Sequence, residues 1–322
     1  MLTAAAFRRQ RAIAHPLWLW VGGTALDLQE RLTRTRVDVE GFDRLSRTPV
    51  LLASNSSHMY DVFPLRCLLR RSGIPTVSVA KGKYFQQPMM QWALGRVGVV
   101  PIVSRGYLLV ADFVALHGRR PDEAEYRLLR SLIDSGAPLP SSGQFDALRN
   151  TVRDIVGFEF TPATESYREA LLRTYECCML ETVRLAKLAV ERGHHVHLYP
   201  EGTVSSRLGV GRRGAVQLAR ALGLAIQPVG ISGCREAFAE PRSPRLRGGR
   251  ITIRFGEPWH HATAALPSSF KPFRPQHERD CAPLLDEATS ALMQRIDRLL
   301  EPAYRHSQQH VHDGSIGVGR FL

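Results

Sequence analysis

Lysine is nearly missing from this chain of 322 residues. It occurs only at positions 81, 83, 187 and 271, so the 43 basic residues are almost all arginine. Against 30 acidic residues they give a formal net charge of +13 and a pI near 10.1. Such a surface favours acidic partners. Nucleic acid is not expected among them, because the chain has no zinc-ligand spacing, no RNP-like aromatic run and no helix with its basic residues gathered on one face. Cysteine is scarce as well. Cys67, Cys177, Cys178, Cys234 and Cys281 are odd in number and lack disulfide or metal spacing, which excludes a disulfide framework and reads as the reduced thiols of a cytosolic protein. Long apolar runs are absent too. The stretch Pro16 to Leu26 ends at Asp27, short of the roughly 18 residues a membrane span needs. No Ala-x-Ala site closely follows that stretch, so secretion is not expected. No carboxylate stands at ligand spacing from His194, His195 and His197 or from His260 and His261, so no metal is expected.

What is present suffices for one large domain. A chain of this length can bury about three quarters of its unfolded surface. Short apolar runs bounded by turn residues predict strands at 49–53, 76–80, 99–103, 195–199, 226–231 and 250–255. Helical spacing predicts helices at 61–72, 86–96, 123–133, 164–170, 176–192 and 212–222, with a closing helix over Leu284 to Leu299. Alternation of the two element types predicts an α/β fold with a mainly parallel sheet covered on both faces. Residues 136–143 read as a loop from their glycines, prolines and serines, open to proteolysis.

The chemistry concentrates where an apolar strand runs into Tyr199-Pro200-Glu201-Gly202-Thr203. Proline fixes the backbone, glycine permits a left-handed turn, and Glu201 is expected to project from a strand end, where α/β proteins bind ligands.

Three further segments join it: Ser54-Asn55-Ser56-Ser57-His58-Met59-Tyr60-Asp61, then Ala80-Lys81-Gly82-Lys83-Tyr84-Phe85 leading to Gly98-Val99-Val100-Pro101-Ile102-Val103-Ser104-Arg105, and Pro228-Val229-Gly230-Ile231. In order, spacing and residue type the set resembles the glycerolipid acyltransferases of the lysophosphatidate acyltransferase type. Their blocks read Asn-His-x-x-x-x-Asp, Gly-x-x-x-Ile-x-Arg, Phe-Pro-Glu-Gly-Thr-Arg-Ser and a Pro-Val-x-Ile strand. The resemblance covers about residues 45–105 and 180–260. Two positions depart from it: the family's histidine falls at Ser56, leaving His58 in a His-x-x-Asp arrangement, and Val204 stands for the arginine of the third block, with Arg207 three residues on.

The resemblance implies an αβ sandwich, assigned to residues 46–304. The residues themselves read as an N-terminal interfacial segment over 1–45, a closing C-terminal helix and a loose polar tail over 305–322, and the span at about 107–175, which does not resemble the family, reads as a helical insertion that covers the site, docks on a membrane or is a passive surface elaboration. The resemblance also implies transfer of a fatty acyl group from acyl-CoA or acyl-carrier protein, without a cofactor, to the hydroxyl of a lysophospholipid. His58 would be the general base and Asp61, one helical turn on, its orienting partner. Arg105 would bind the acceptor phosphate with Lys81 and Lys83 adding charge, while Glu201, Gly202 and Thr203 would hold the acceptor. Glu201 is expected to bond a glycerol hydroxyl or to hold Arg105. Arg8, Arg9, Arg11 and the tryptophans at 18 and 20 suggest peripheral attachment to an anionic membrane surface, on the cytoplasmic face of the inner membrane; packing of the tryptophans inward fits that segment equally. Two rival readings stay open: a catalytically silent lipid-binding homologue, and a serine hydrolase using Ser56 or Ser57 with His58, which lacks a Gly-x-Ser-x-Gly elbow.

Overall fold

A computed structural model describes Phe7, Gln10, Ile13 and residues 15–307 apart from 142, 241 and 242. The basic residues at 8, 9 and 11 and the tail beyond 307 lie outside the described residues. The chain builds a seven-stranded sheet in the order β1-β9-β8-β2-β7-β3-β4. Its strands are β1 (Arg36–Glu40), β2 (Leu51–Ser54), β3 (Thr76–Lys81), β4 (Val99–Ile102), β7 (His195–Leu198), β8 (Ile226–Ser232) and β9 (Arg250–Phe255). Every pairing is parallel except β8 with β9. The fold is thus α/β with a mostly parallel sheet, as the alternation of strand and helix requires.

Helices cover both faces. In chain order they are α1 (Pro16–Leu32), α2 (Val62–Arg71), α3 (Pro88–Arg96), α4 (Arg105–His117), α5 (Glu123–Ser135), α6 (Gly143–Asn150), α7 (Tyr167–Val190), α8 (Gly214–Leu222), α9 (Cys234–Ala237), α10 (Pro275–Asp280) and α11 (Ala282–Asp297). Alternate residues of one strand feed opposite cores, as the two-residue period of a strand dictates. Leu51 and Ala53 join the core beneath α4, α7, α8 and α11, whereas Leu52 joins the one beneath α2.

Three expectations change. Residues 36–40, read as part of a separate N-terminal segment, form an edge strand paired with β9, so the body of the fold begins before residue 46. The helices expected at 164–170 and 176–192 are one 24-residue helix, α7, opened by a capping box in which Ser166 and Glu169 satisfy each other's backbone N–H groups. The stretch 107–175, expected as an insertion, packs into the body of the fold, which removes the passive surface elaboration among its readings: Leu109, Leu129, Leu148 and Phe160 sit in the main core. Within it residues 136–141 form a loop between α5 and α6, as expected, with Leu139 buried and Arg149 donating to its carbonyl.

The stretch is also tied electrostatically. Arg153, on the β5 (Arg153–Ile155) and β6 (Phe158–Phe160) hairpin, donates to both oxygens of buried Asp112 on α4 at 2.9 and 2.7 Å, and Tyr167 donates to the same carboxylate at 2.7 Å. Removing one partner of such a pair leaves an unpaired buried charge, at about 3 to 5 kcal/mol. Asp112→Ala is therefore expected to lose stability on that scale in urea unfolding; a loss below about 1 kcal/mol would show that the pair does not tie the hairpin to α4.

Candidate active site

Because β2, β7, β3, β4 and β8 are mutually parallel, their carboxyl ends share one rim of the sheet. Residues 55–61 leave β2 there, Lys81 to Phe85 leave β3, Arg105 follows β4, the Pro-Glu-Gly-Thr turn follows β7, and Cys234 follows β8.

The segment after β2 is fixed almost entirely through its backbone. Asn55 acts as a surrogate peptide, donating to the carbonyl of Ile231 at 2.9 Å and accepting from its N–H at 2.8 Å. Next come three successive N–H groups, all aimed at carboxylates. Ser56 donates to Glu201 at 2.9 Å, while Ser57 and His58 donate to Asp61 at 2.5 and 2.8 Å. The second oxygen of Glu201 accepts from Gly209 at 2.7 Å, and the Ser205 N–H returns to the carbonyl of Ser56 at 2.8 Å. Glu201 thus does not project: it is 1 % exposed and cross-links the first motif to the loop that follows its own strand.

Both carboxyls are pushed up to about 7, chiefly by burial, which the N–H bonds only partly offset. The charge on Asp61 adds to the rise at Glu201.

His58 sits in the turn ahead of α2, which begins only at Val62, so the same-face pairing with Asp61 does not form. The carboxylate of Asp61 meets the main chain of His58, and the thiol of Cys234 also bonds it. The imidazole turns the other way. Nε2 lies 2.9 Å from the carbonyl of Glu240, Nδ1 accepts from the N–H of Tyr60 at 3.3 Å, and the ring stacks on Phe238 with centroids 4.6 Å apart and planes 7° from parallel. A carbonyl can only accept, so Nε2 carries the proton and the ring is neutral. Burial lowers its pKa, and the Glu240 carbonyl partly restores it.

Arg105 is engaged elsewhere. Its guanidinium reaches Glu278 on α10 at 2.5 Å and Asp134 on α5 at 3.6 Å, and it lies over the ring of Tyr175. It does not hold Glu201, whose two oxygens are taken by Ser56 and Gly209. Counted from Gly98, the family's arginine falls at Ser104, one residue earlier; Ser104 caps α4 by accepting from Tyr107 at 3.1 Å. Arg207 points to the carbonyls of Pro302 and Arg305, away from the Pro-Glu-Gly-Thr turn. Lys81 closes β3 and Lys83 lies over Tyr84. Gly202, at φ +62, makes the turn after β7, leaving Thr203 half-buried at the rim.

Beneath the rim runs a buried polar layer that sequence reading missed. His197 on β7 lies 2.9 Å from the hydroxyl of Ser54 and 3.4 Å from that of Ser78 on the flanking strands, and burial holds its ring down to about 3. Arg66 of α2 donates to the carbonyls of Thr76 and Val97 and is lowered to about 10. The alternating histidines of β7 were the visible signal for His197. Nothing in the sequence marked Phe238 or Glu240.

A scan of family models and a search of curated proteins both return no match. Among solved structures the chain is similar to PlsC from Thermotoga maritima, a 1-acyl-sn-glycerophosphate (LPA) acyltransferase, at 14% identity and a TM-score of 0.41 over 86% of this chain and 80% of that one. Similarity at this level says nothing about the chemistry of the rim, which its own residues must carry.

The raised pKa of Asp61 gives a test of the loop. A folded carboxyl that holds its proton above the unfolded value contributes stability below the ordinary carboxylate range and loses it as pH rises through about 7. Asp61→Asn keeps an acceptor and removes the charge. Its Tm is expected to fall less than that of the unmodified protein between about pH 5 and about pH 8, the other titrating groups being common to both. Parallel Tm curves would mean that the carboxylate titrates at its ordinary value.

Proposed function

We propose that this protein is an O-acyltransferase that moves a fatty acyl group from the thioester of coenzyme A or acyl-carrier protein to the hydroxyl of a lysophospholipid. One observation carries the reading. The Pro-Glu-Gly-Thr block and the Asn-Ser-Ser-His block are about 140 residues apart yet bond each other directly at the sheet rim through Glu201, Ser56 and Ser205.

In the reaction the acceptor oxygen attacks the thioester carbonyl while its proton passes to the unprotonated nitrogen of the imidazole, Nδ1 of His58, which gives up its bond from the Tyr60 N–H to take it. Collapse of the tetrahedral intermediate breaks the C–S bond, and the leaving thiolate takes that proton, giving an ester and a thiol. Asp61 and Glu201 act by shaping the loop that carries His58. Gly202 and Thr203 stand where the acceptor would lie, Lys81 and Lys83 supply positive charge, and Arg105 can bind a phosphate that displaces Glu278. A lysophosphatidate acceptor suits that charge.

An amphiphilic acceptor implies work at a bilayer. Helix α1 is suited to it because its apolar stripe faces outward: Leu17, Trp20, Val21, Leu28 and Leu32 are exposed, whereas Asp27 and Glu30 turn inward to Arg70 and Arg71 of α2 at 2.5 to 2.7 Å. Arg70 also lies across Gly23, where a β-carbon would stand 2.2 Å from its Nε. Exposed Met89, Met90 and Trp92 of α3 extend the stripe through the edge contact of Trp92 with Trp18. Neither Met1 to Leu26 nor Val62 to Ala111 contains an acidic residue, which favours an anionic surface. No described helix is long and apolar enough to cross a membrane. The cytoplasmic face of the inner membrane fits this reading.

A lipid-binding homologue without turnover is the second reading. Serine at the family's histidine position and the absence of a carboxylate on the His58 ring favour it.

Radiolabelled acyl transfer from acyl-CoA or acyl-carrier protein to lysophosphatidate separates the two. His58→Ala is expected to lose on the order of 10² to 10⁴ in turnover with Tm held, while Ser56→Ala keeps most activity. Inactivity of the unmodified protein with both donors, combined with lysophosphatidate binding, would establish the second reading, and release of free fatty acid would indicate hydrolysis. Sedimentation with anionic vesicles at low salt should fall severalfold in Trp20→Glu, since a charge at the interface opposes insertion of the stripe. Equal sedimentation of the two proteins would remove α1 from the contact.

A further inference from the structure

Acyl transfer needs a base whose ring is held in one tautomer and one orientation, and Asp61, the expected holder, faces the main chain. Among the described residues, both the ring stacked on it and the acceptor of its Nε2 come from one short segment after β8. Helix α9 delivers Phe238, buried flat against the imidazole, and two residues on the Glu240 carbonyl meets Nε2. The segment is braced rather than free. Phe238 pairs with Leu246 in an antiparallel bridge, Ala239 donates to the carbonyl of Arg245 and Arg247 to that of Ala237, both at 2.8 Å. The Leu246 N–H is held by Gln29 of α1 at 3.1 Å.

We propose that Phe238 is the positioning residue for His58, fixing its plane by stacking while the Glu240 carbonyl fixes the Nε2–H tautomer, so that Nδ1, held by the Tyr60 N–H at 3.3 Å, is the nitrogen that exchanges that bond for the acceptor's proton. The inference rests on the transferase reading for its purpose, though not for its geometry. A neutral carbonyl orients an imidazole without stabilising its cation as a carboxylate does, and the stack excludes water. The titratable groups around the ring are Tyr60 beside it, Asp61 and Cys234 behind its main chain, and Glu240, which meets the ring through its carbonyl. The base therefore works from below the ordinary histidine range, where pairing with Asp61 would have raised it.

The test measures hydrogen–deuterium exchange at the imidazole C2 of His58 across pH by mass spectrometry, which reports the pKa and access of the ring without requiring activity. In the unmodified protein the midpoint should lie below the reference value of about 6.5. Phe238→Ala should move it up and speed exchange, Phe238→Tyr should restore both, and Phe238→Leu, which keeps the volume without the flat face, should fall between. In the acyl-transfer assay Phe238→Ala should lose about a hundredfold in kcat, the scale of a misplaced catalytic group, with KM little changed and the acid limb of the pH profile moved upward. Asp61→Asn should leave the His58 midpoint where it is. Unchanged His58 exchange in Phe238→Ala, equal values for the alanine and leucine variants, or a drop in the His58 midpoint on Asp61→Asn would each overturn the assignment. Should the unmodified protein transfer no acyl group while His58 still responds to Phe238 as described, the ring-holding role stands and the transferase reading falls.

Discussion

Two buried carboxylates gripping three successive backbone N–H groups set the geometry on which the rim depends. Strand ends leave N–H groups without partners, and a segment as buried as Ser56 to His58 cannot leave them to water. Asp61 and Glu201 supply the acceptors from two different stretches of chain. In doing so they draw the loops after β2 and β7 together, and they carry the cost of burial as pKa values near 7 rather than in opposed cations. Arg66 of α2 donates to the carbonyls of Thr76 and Val97.

With the loop fixed through its main chain, its side chains are free to take other partners. Asn55 clips the loop to β8, His58 turns to the segment after α9, and Tyr60 and Phe63 continue the aromatic stack. A carboxylate saturated by N–H groups cannot also serve an imidazole, which is why the histidine looks outside its own motif for an acceptor. The same logic applies at Arg105, where Glu278 and Asp134 neutralise a guanidinium that would otherwise stand partly buried without a counter-charge.

On the far side of α2 the design inverts the usual amphipathic order. Gly23 lets Arg70 cross α1 closely, Asp27 and Glu30 meet Arg70 and Arg71, and the apolar stripe is left to the outside. A helix held by ion pairs along its inner face presents Leu17, Trp20, Val21, Leu28 and Leu32 to whatever lies beyond. Gln29 of the same helix reaches the segment that holds His58, so the outer layer and the rim share a brace.

The sequence by itself determined the α/β class, six of the seven sheet strands within a residue or two, and the four blocks that meet at the rim, because apolar runs ended by turn residues and local motif spacing are properties of contiguous chain. It also marked Glu201 and Asp61 as important, but the roles it suggested for them differ from the backbone N–H groups they hold. β1 escaped because its burial is only partial and its pairing with β9 joins residues more than 200 apart. α4 escaped because it is apolar nearly all round, as a helix buried in the main core must be. Which way each side chain faces was decided by tertiary structure alone. Asp61 turned to the backbone, Arg105 to Glu278 and His58 to Phe238, since those choices depend on where unsatisfied N–H groups, counter-charges and ring faces arrive from distant segments, and no local pattern records that arrival.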